Sequence, residues 1–174
     1  MTTHDDLAHR IPPPRRSSAG PVDWAALETR IGTGLPSDYK WLVGHYGPGV
    51  FDDFLHVLQP TAGHEAIRLE HCIERMNRTL DYLRGGGEEI PFSNDELLPA
   101  VLSDNGDTVY WRRWPRDDPE RWTVVANEAR GTNWVWFDGG LVAFLAAALD
   151  GSFPVPIFPE DFPSEEPRFE PYDA

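Results

Sequence analysis

The chain has 174 residues and a formal net charge of −14, from 29 acids against 15 lysines and arginines. Its length suits one domain whose core needs neither metal nor disulfide, and its single cysteine, Cys72, excludes an intramolecular bridge. Charge of this sign repels phosphate backbones and anionic lipid and draws in basic proteins, which argues against nucleic-acid or membrane binding and for a cationic protein partner.

No run approaches the roughly 18 apolar residues of a membrane span. The amino-terminal residues, with His4, Asp5, Asp6, His9 and Arg10, lack the apolar segment of a signal peptide, so the expected compartment is the cytoplasm. Residues 1–20 hold Pro12-Pro13-Pro14, Arg15-Arg16 and Ser17-Ser18 with few apolar groups to offset the entropy of ordering, and are expected to form a flexible arm. Val22, Trp24, Leu27 and Ile31 then recur at near-helical spacing until Gly32 and Gly34 end the run. A second helix is expected from Pro36, Ser37 and Asp38, with Leu35, Tyr39, Leu42, Val43 and Tyr46 as its apolar residues and Gly47 and Gly49 as its stop.

The set Trp24, Leu27, Glu28, Gly32, Leu35-Pro36, Asp38-Tyr39, Leu42, Tyr46-Gly47 and Gly49 resembles the amino-terminal signature of the SUKH superfamily, which includes fungal cell-wall-assembly regulators and many bacterial immunity proteins. The likeness covers the opening third of the domain; the later strands follow by general pattern alone. It implies an α+β binding domain, often one that neutralises a partner toxin in the same cytoplasm. It brings no catalytic residues with it, because the shared positions are mainly structural.

Val50-Phe51 and Phe54 to Leu58 read as strands around an Asp52-Asp53 turn, whose adjacent carboxylates diverge and lack a third metal ligand. From Thr61 or His64 to about Arg84 runs the longest helical candidate, striped by Leu69, Ile73, Met76, Leu80 and Leu83 and ended by Gly85-Gly86-Gly87. Its His64-Glu65 and His71 are spaced by seven residues, which does not fit the zinc-protease helix. Ser93 with Glu96 fits a capping box on a short turn that Pro99 terminates. Val101-Leu102 and Thr108 to Arg112 flank Asp104-Asn105-Gly106-Asp107, a hairpin signal without the calcium-loop order. Arg113 to Arg121 reads as a loop, Trp122 to Ala126 and Trp134 to Phe137 as further strands, and Asp138 as the cap of a closing helix over Leu141 to Leu149. From Pro154 to Ala174, six acids against Arg168 contribute −5, and Phe158, Phe162, Phe169 and Tyr172 leave two arrangements open: a disordered tail, or one laid against the body.

The expected fold is α+β, an antiparallel sheet of about four to six strands flanked by helices, divided as arm 1–20, domain 21–153 and Pro-rich acidic tail 154–174. Dinucleotide, Walker and nucleophile-elbow motifs are absent, and Cys72 has no evident activating partner, so neither a cofactor, a metal nor catalytic residues are expected. Parity puts Trp134 and Trp136 on one side of their strand; assigning them to the core leaves Tyr110, Arg112, Val135 and Phe137 for the opposite face. The expected function is protein binding, with a basic, nuclease-like toxin as partner and acidic groups mimicking displaced phosphates. Candidate contacts are the loop-tip acids Asp52, Asp53, Asp104 and Asp107 with Tyr110, Arg112 and Phe137 of the sheet. The rivals are a regulatory or scaffold module with a housekeeping partner, and a small hydrolase, which a polar cluster and a pocket near the Asp104 to Asp107 turn would favour.

Overall fold

A computed structural model describes residues 3–17, 19–61 and 63–172; Ser18 of the arm and Asp173 of the tail lie outside them. Seven strands form one antiparallel sheet: β1 (Gly49–Phe51), β2 (Leu55–Val57), β3 (Leu97–Ser103), β4 (Thr108–Arg112), β5 (Thr123–Asn127), β6 (Trp134–Phe137) and β7 (Phe169–Pro171). Their spatial order is β6-β5-β4-β3-β2-β1-β7, a meander to which the last strand adds beside the first. The fold is thus α+β as expected, with one strand more than the upper expectation.

The extra strand comes from the acidic tail. Phe158 and Phe162 pack on Phe54 at 5.2 and 5.1 Å, and Phe169 on Tyr46 and Phe51 at 5.1 and 4.7 Å. These rings hold the tail against the body, so β7 pairs with β1 through Gly49↔Pro171 and Phe51↔Phe169. Gly49 permits that approach, since a Cβ there would lie 2.5 Å from Glu170 O.

One face of the sheet is covered by α1 (Thr3–Arg10), α2 (Trp24–Ile31), α3 (Ser37–Tyr46) and α5 (Leu141–Leu149). Asp23 caps α2 by accepting from Ala26 N at 3.0 Å, and Gly32 ends it in the left-handed region at φ 76°. The stripe of α3 sinks Tyr39, Leu42, Val43 and Tyr46 among Phe51, Leu55, Val109 and Trp111. Both tyrosines find acceptors inside: Tyr39 OH donates to Leu58 O at 2.7 Å and Tyr46 OH to Ile11 O at 2.6 Å. Burial pushes both phenols well above their ordinary range, which keeps them neutral donors. α5 starts not under Asp138 but under Asp38, whose Oδ2 accepts from Val142 N at 3.0 Å and so ties α3 to α5.

The amino-terminal segment departs from the flexible arm expected of its composition. Leu7 and Ile11, four residues apart, are each only 1% exposed, and Arg10 Nε donates to Leu149 O at 3.1 Å. Two apolar side chains on one helical face are sufficient to dock α1 on α5.

α4 (Leu69–Gly85) crosses the other face. It begins later than Thr61 or His64, because a separate 3-10 turn over Glu65–Ile67 comes first and Arg68 is extended. Leu80 packs on Leu97, Tyr110 and Val125, with Met76, Ile90, Phe92 and Trp134 around them. The helix covers the middle of this face and leaves a cleft on either flank. Pro99 does not terminate the preceding turn; it lies inside β3 beside a register shift between Pro99 and Val101, the kind of irregularity that accommodates proline in a sheet.

Candidate partner-binding site

The sheet register decides which of the candidate side chains share a surface. Tyr110 pairs with Val125, and Val125 with Trp136, so these lie in one row on the α4 face. Val109, Ala126 and Val135 form the alternate row, toward the main core. Consequently the parity expected for β6 is reversed. Phe137 points inward to Phe144 and Phe153 at 5.7 and 5.0 Å, whereas Trp136 is 52% exposed. The physical reason is α5, whose apolar face takes Val135 and Phe137 from the strand.

Tyr110 is likewise no surface residue: it is 2% exposed, and burial pushes its phenol up to about 12. Arg112, two residues on and on the same face, does reach the surface. Its guanidinium lies 4.7 Å from the Trp136 ring and 5.5 Å from Phe92, and Nη2 is 3.7 Å from Glu96. With Trp134, 5.5 Å from Phe92, these groups line a cleft of about 400 Å³ next to β6, a strand with a neighbour on one side only. A cation clamped between aromatic faces is rigid, partly desolvated and well suited to protein recognition.

The acids divide by what holds them. Asp52 accepts from the Ser164 amide at 2.8 Å and from its hydroxyl, and its own amide donates to Arg168 O at 2.7 Å, so it fastens the tail. Asp107 is 2% exposed and accepts from Ser103 Oγ at 2.6 Å and Ala129 N at 3.1 Å, so it braces the hairpin from within. Asp107 is thus withdrawn from the surface, whereas Asp52 is half-buried and engaged by Ser164. Asp53 is exposed at its turn, with φ 52°. Asp104 is exposed too, and its amide donates to Phe54 O at 3.0 Å, which brings the two acidic turns to one end of the sheet.

Asp104 also joins a cluster that the sequence did not suggest. Its Oδ1 lies 2.6 Å from His56 Nε2, and His56 Nδ1 is hydrogen bonded to the Tyr172 hydroxyl. The three come from β2, the β3–β4 turn and the end of β7, positions that only the tail's return to β1 brings together. Burial, assisted by Asp104, pushes the Tyr172 phenol up to about 12. The thiol of Cys72 is raised by burial despite nearby Arg75, and it donates to Ala66 O at 3.2 Å. Among the described residues no three His, Cys, Asp or Glu side chains gather to hold a metal ion, and no helix is long and apolar enough to cross a membrane.

Comparison with family models, with curated proteins and with solved structures gives no match.

Proposed function

We propose that this chain is a non-catalytic, cytoplasmic protein-binding domain that neutralises a basic, nuclease-like bacterial toxin by direct binding. Support comes chiefly from one surface: half-exposed Trp136 stacked on Arg112 beside Phe92, at the open end of the α4 face. Trp and Arg in a partly desolvated patch are the residue types that dominate binding energy. The net charge of −14 then acts at longer range, speeding encounter with a cationic partner rather than supplying most of the contacts. Phosphate mimicry falls to the exposed carboxylates Asp53 and Asp104, since Asp52 and Asp107 are held by the fold.

Capture from the source cells at low and high salt, with the wild-type chain and Trp136→Ala as baits, tests this. The expected result is a Lys- and Arg-rich protein retained by the wild type, less at high salt, and at least tenfold less by the variant. Capture of an acidic protein, or of one indifferent to both salt and Trp136, refutes it; a housekeeping enzyme that depends on Trp136 would instead support a regulatory module.

A small hydrolase has one observation in its favour, the Asp104, His56 and Tyr172 chain. Against it, the Tyr172 phenol is shifted upward, opposite to what an activated nucleophile requires.

A further inference from the structure

The second cleft, on the other flank of α4, has a volume of about 480 Å³ and shares no residue with the Trp136 surface. That size suits a small molecule. Its floor is apolar, with Ile67 and Leu102, and its ionisable side chains are His56, His64, Arg75, Asp104 and Tyr172. Most of that polar capacity is already used. His56 Nε2 is hydrogen bonded to Asp104 at 2.6 Å and Nδ1 to the Tyr172 hydroxyl, so both ring nitrogens are occupied.

Arg75 is different. Its Nη2 has only weak neutral acceptors, Ala66 O at 3.5 Å and Cys72 Sγ at 3.7 Å. Its Nε is shut off from solvent without a hydrogen-bond partner, and among the described residues no carboxylate pairs with it. A chain with 29 acids thus leaves a cleft-lining guanidinium without a counter-ion. Nε lies out of a ligand's reach, but the weakly held Nη end of a guanidinium without a counter-ion favours a planar or tetrahedral oxyanion in the cleft.

We infer that this cleft binds a small molecule bearing a compact oxyanion, carboxylate or phosphate, held by Arg75, with its apolar body on Ile67 and Leu102. The neutral Tyr172 hydroxyl and His56 form the wall facing the anion. The acidic surface opposes approach from a distance, but beyond about 8 Å that field is screened at physiological salt, so the local guanidinium decides. The site does not rest on the Trp136 surface, although Asp104 borders the cleft and is also one of the two acids proposed to meet the protein partner.

Titration of the full chain with inorganic phosphate, and separately with acetate, followed through the His56 ring nitrogens by NMR, provides the test. A saturable shift with either anion is expected, with affinity at least tenfold lower in Arg75→Gln and partly restored in Arg75→Lys. Leu102→Trp, which fills the floor without altering charge, should also abolish the shift, and serves if Arg75→Gln fails to fold. Response to phosphate alone assigns a phosphate ligand, response to acetate alone a carboxylate, and response to both either class. No saturable shift with either anion, or equal shifts in wild type and Arg75→Gln, overturns the site.

Discussion

Replacing Gly49 by alanine should dislodge the last strand. The added Cβ would lie 2.8 Å from Phe169 Cε2 and 2.5 Å from Glu170 O. The ring can rotate away, but the carbonyl belongs to the β7 backbone, so relief requires the strand itself to shift. Overpacking of this kind typically costs about 1–3 kcal/mol. Release of β7 sets a ceiling, because it forfeits the ring contacts of Phe169 with Tyr46 and Phe51, roughly 0.5–1.5 kcal/mol each. Backbone bonds such as Tyr172 N to Pro48 O are lost as well, against the chain entropy regained by the freed residues. The expected loss is therefore about 2 kcal/mol, roughly a thirtyfold change in the unfolding equilibrium. Urea denaturation gives the magnitude, and amide exchange at Phe169, Glu170 and Tyr172 shows whether the strand has left. In Gly49→Ala combined with Phe169→Ala, the two effects should sum to less than their separate values, because both act through the same docking. A variant as stable as the wild type, or full exchange protection at β7, would refute the reasoning.

Asp107→Ala should lower stability by about 1–2 kcal/mol in urea, since it leaves the buried Ser103 hydroxyl without its acceptor and removes the acceptor of the Ala129 amide; Asp53→Asn, exposed and at the same end of the sheet, keeps a residue that tolerates φ 52° and should stay within about 0.5 kcal/mol. Asp38 adds a pH effect. Burial raises its carboxyl above the ordinary aspartate value even though Val142 N donates to it. The folded state then holds the proton more tightly than the unfolded one, so this group's contribution is present below its unfolded pKa and lost as pH rises through the folded one. The stability of the wild type relative to Asp38→Asn should accordingly increase from neutral pH toward pH ~4, and a difference that is flat or falls on acidification would contradict this.

Local signals were the ones readable in advance. Asn105-Gly106 announces a hairpin that forms with Gly106 at φ 89°, Ser93 and Glu96 complete their capping box, and the stripe through Leu69 and Leu80 forms α4. Alternation along β6 also held, but alternation states that Trp134 and Trp136 share a side without stating which side is covered. That depends on α5 claiming Val135 and Phe137, a contact between elements that no window of sequence contains. Arg112 was expected opposite the tryptophans, yet it reaches the surface on their own face, stacked on Trp136; Tyr110 shares that face but is buried beneath Leu80 of α4, and Phe137 lies on the other side, taken by α5. Asp107 looked like any turn acid, and only the fold brings the Ala129 amide to it. His56 and Tyr172 stand 116 residues apart and gave no signal. Leu7 and Ile11 did give one, a lone i,i+4 pair, obscured by the prolines that follow.

The pairing of β7 with β1 also sets a schedule. Phe169 and Phe51, opposite each other in the sheet, are separated by 118 positions in the chain. At about 5–20 residues per second, synthesis takes roughly 6–24 s to supply that partner. Throughout that interval the open side of β1 offers unpaired backbone groups beside Phe51 and Tyr46, a template for a neighbouring nascent chain. Once β7 pairs with β1, Glu170 places charge on the new edge. Yield during expression should consequently depend on residues 154–172 far more than their small share of the core suggests, because they exchange a β1 border beside Phe51 for a three-residue edge strand carrying Glu170 and Pro171, features that discourage further pairing.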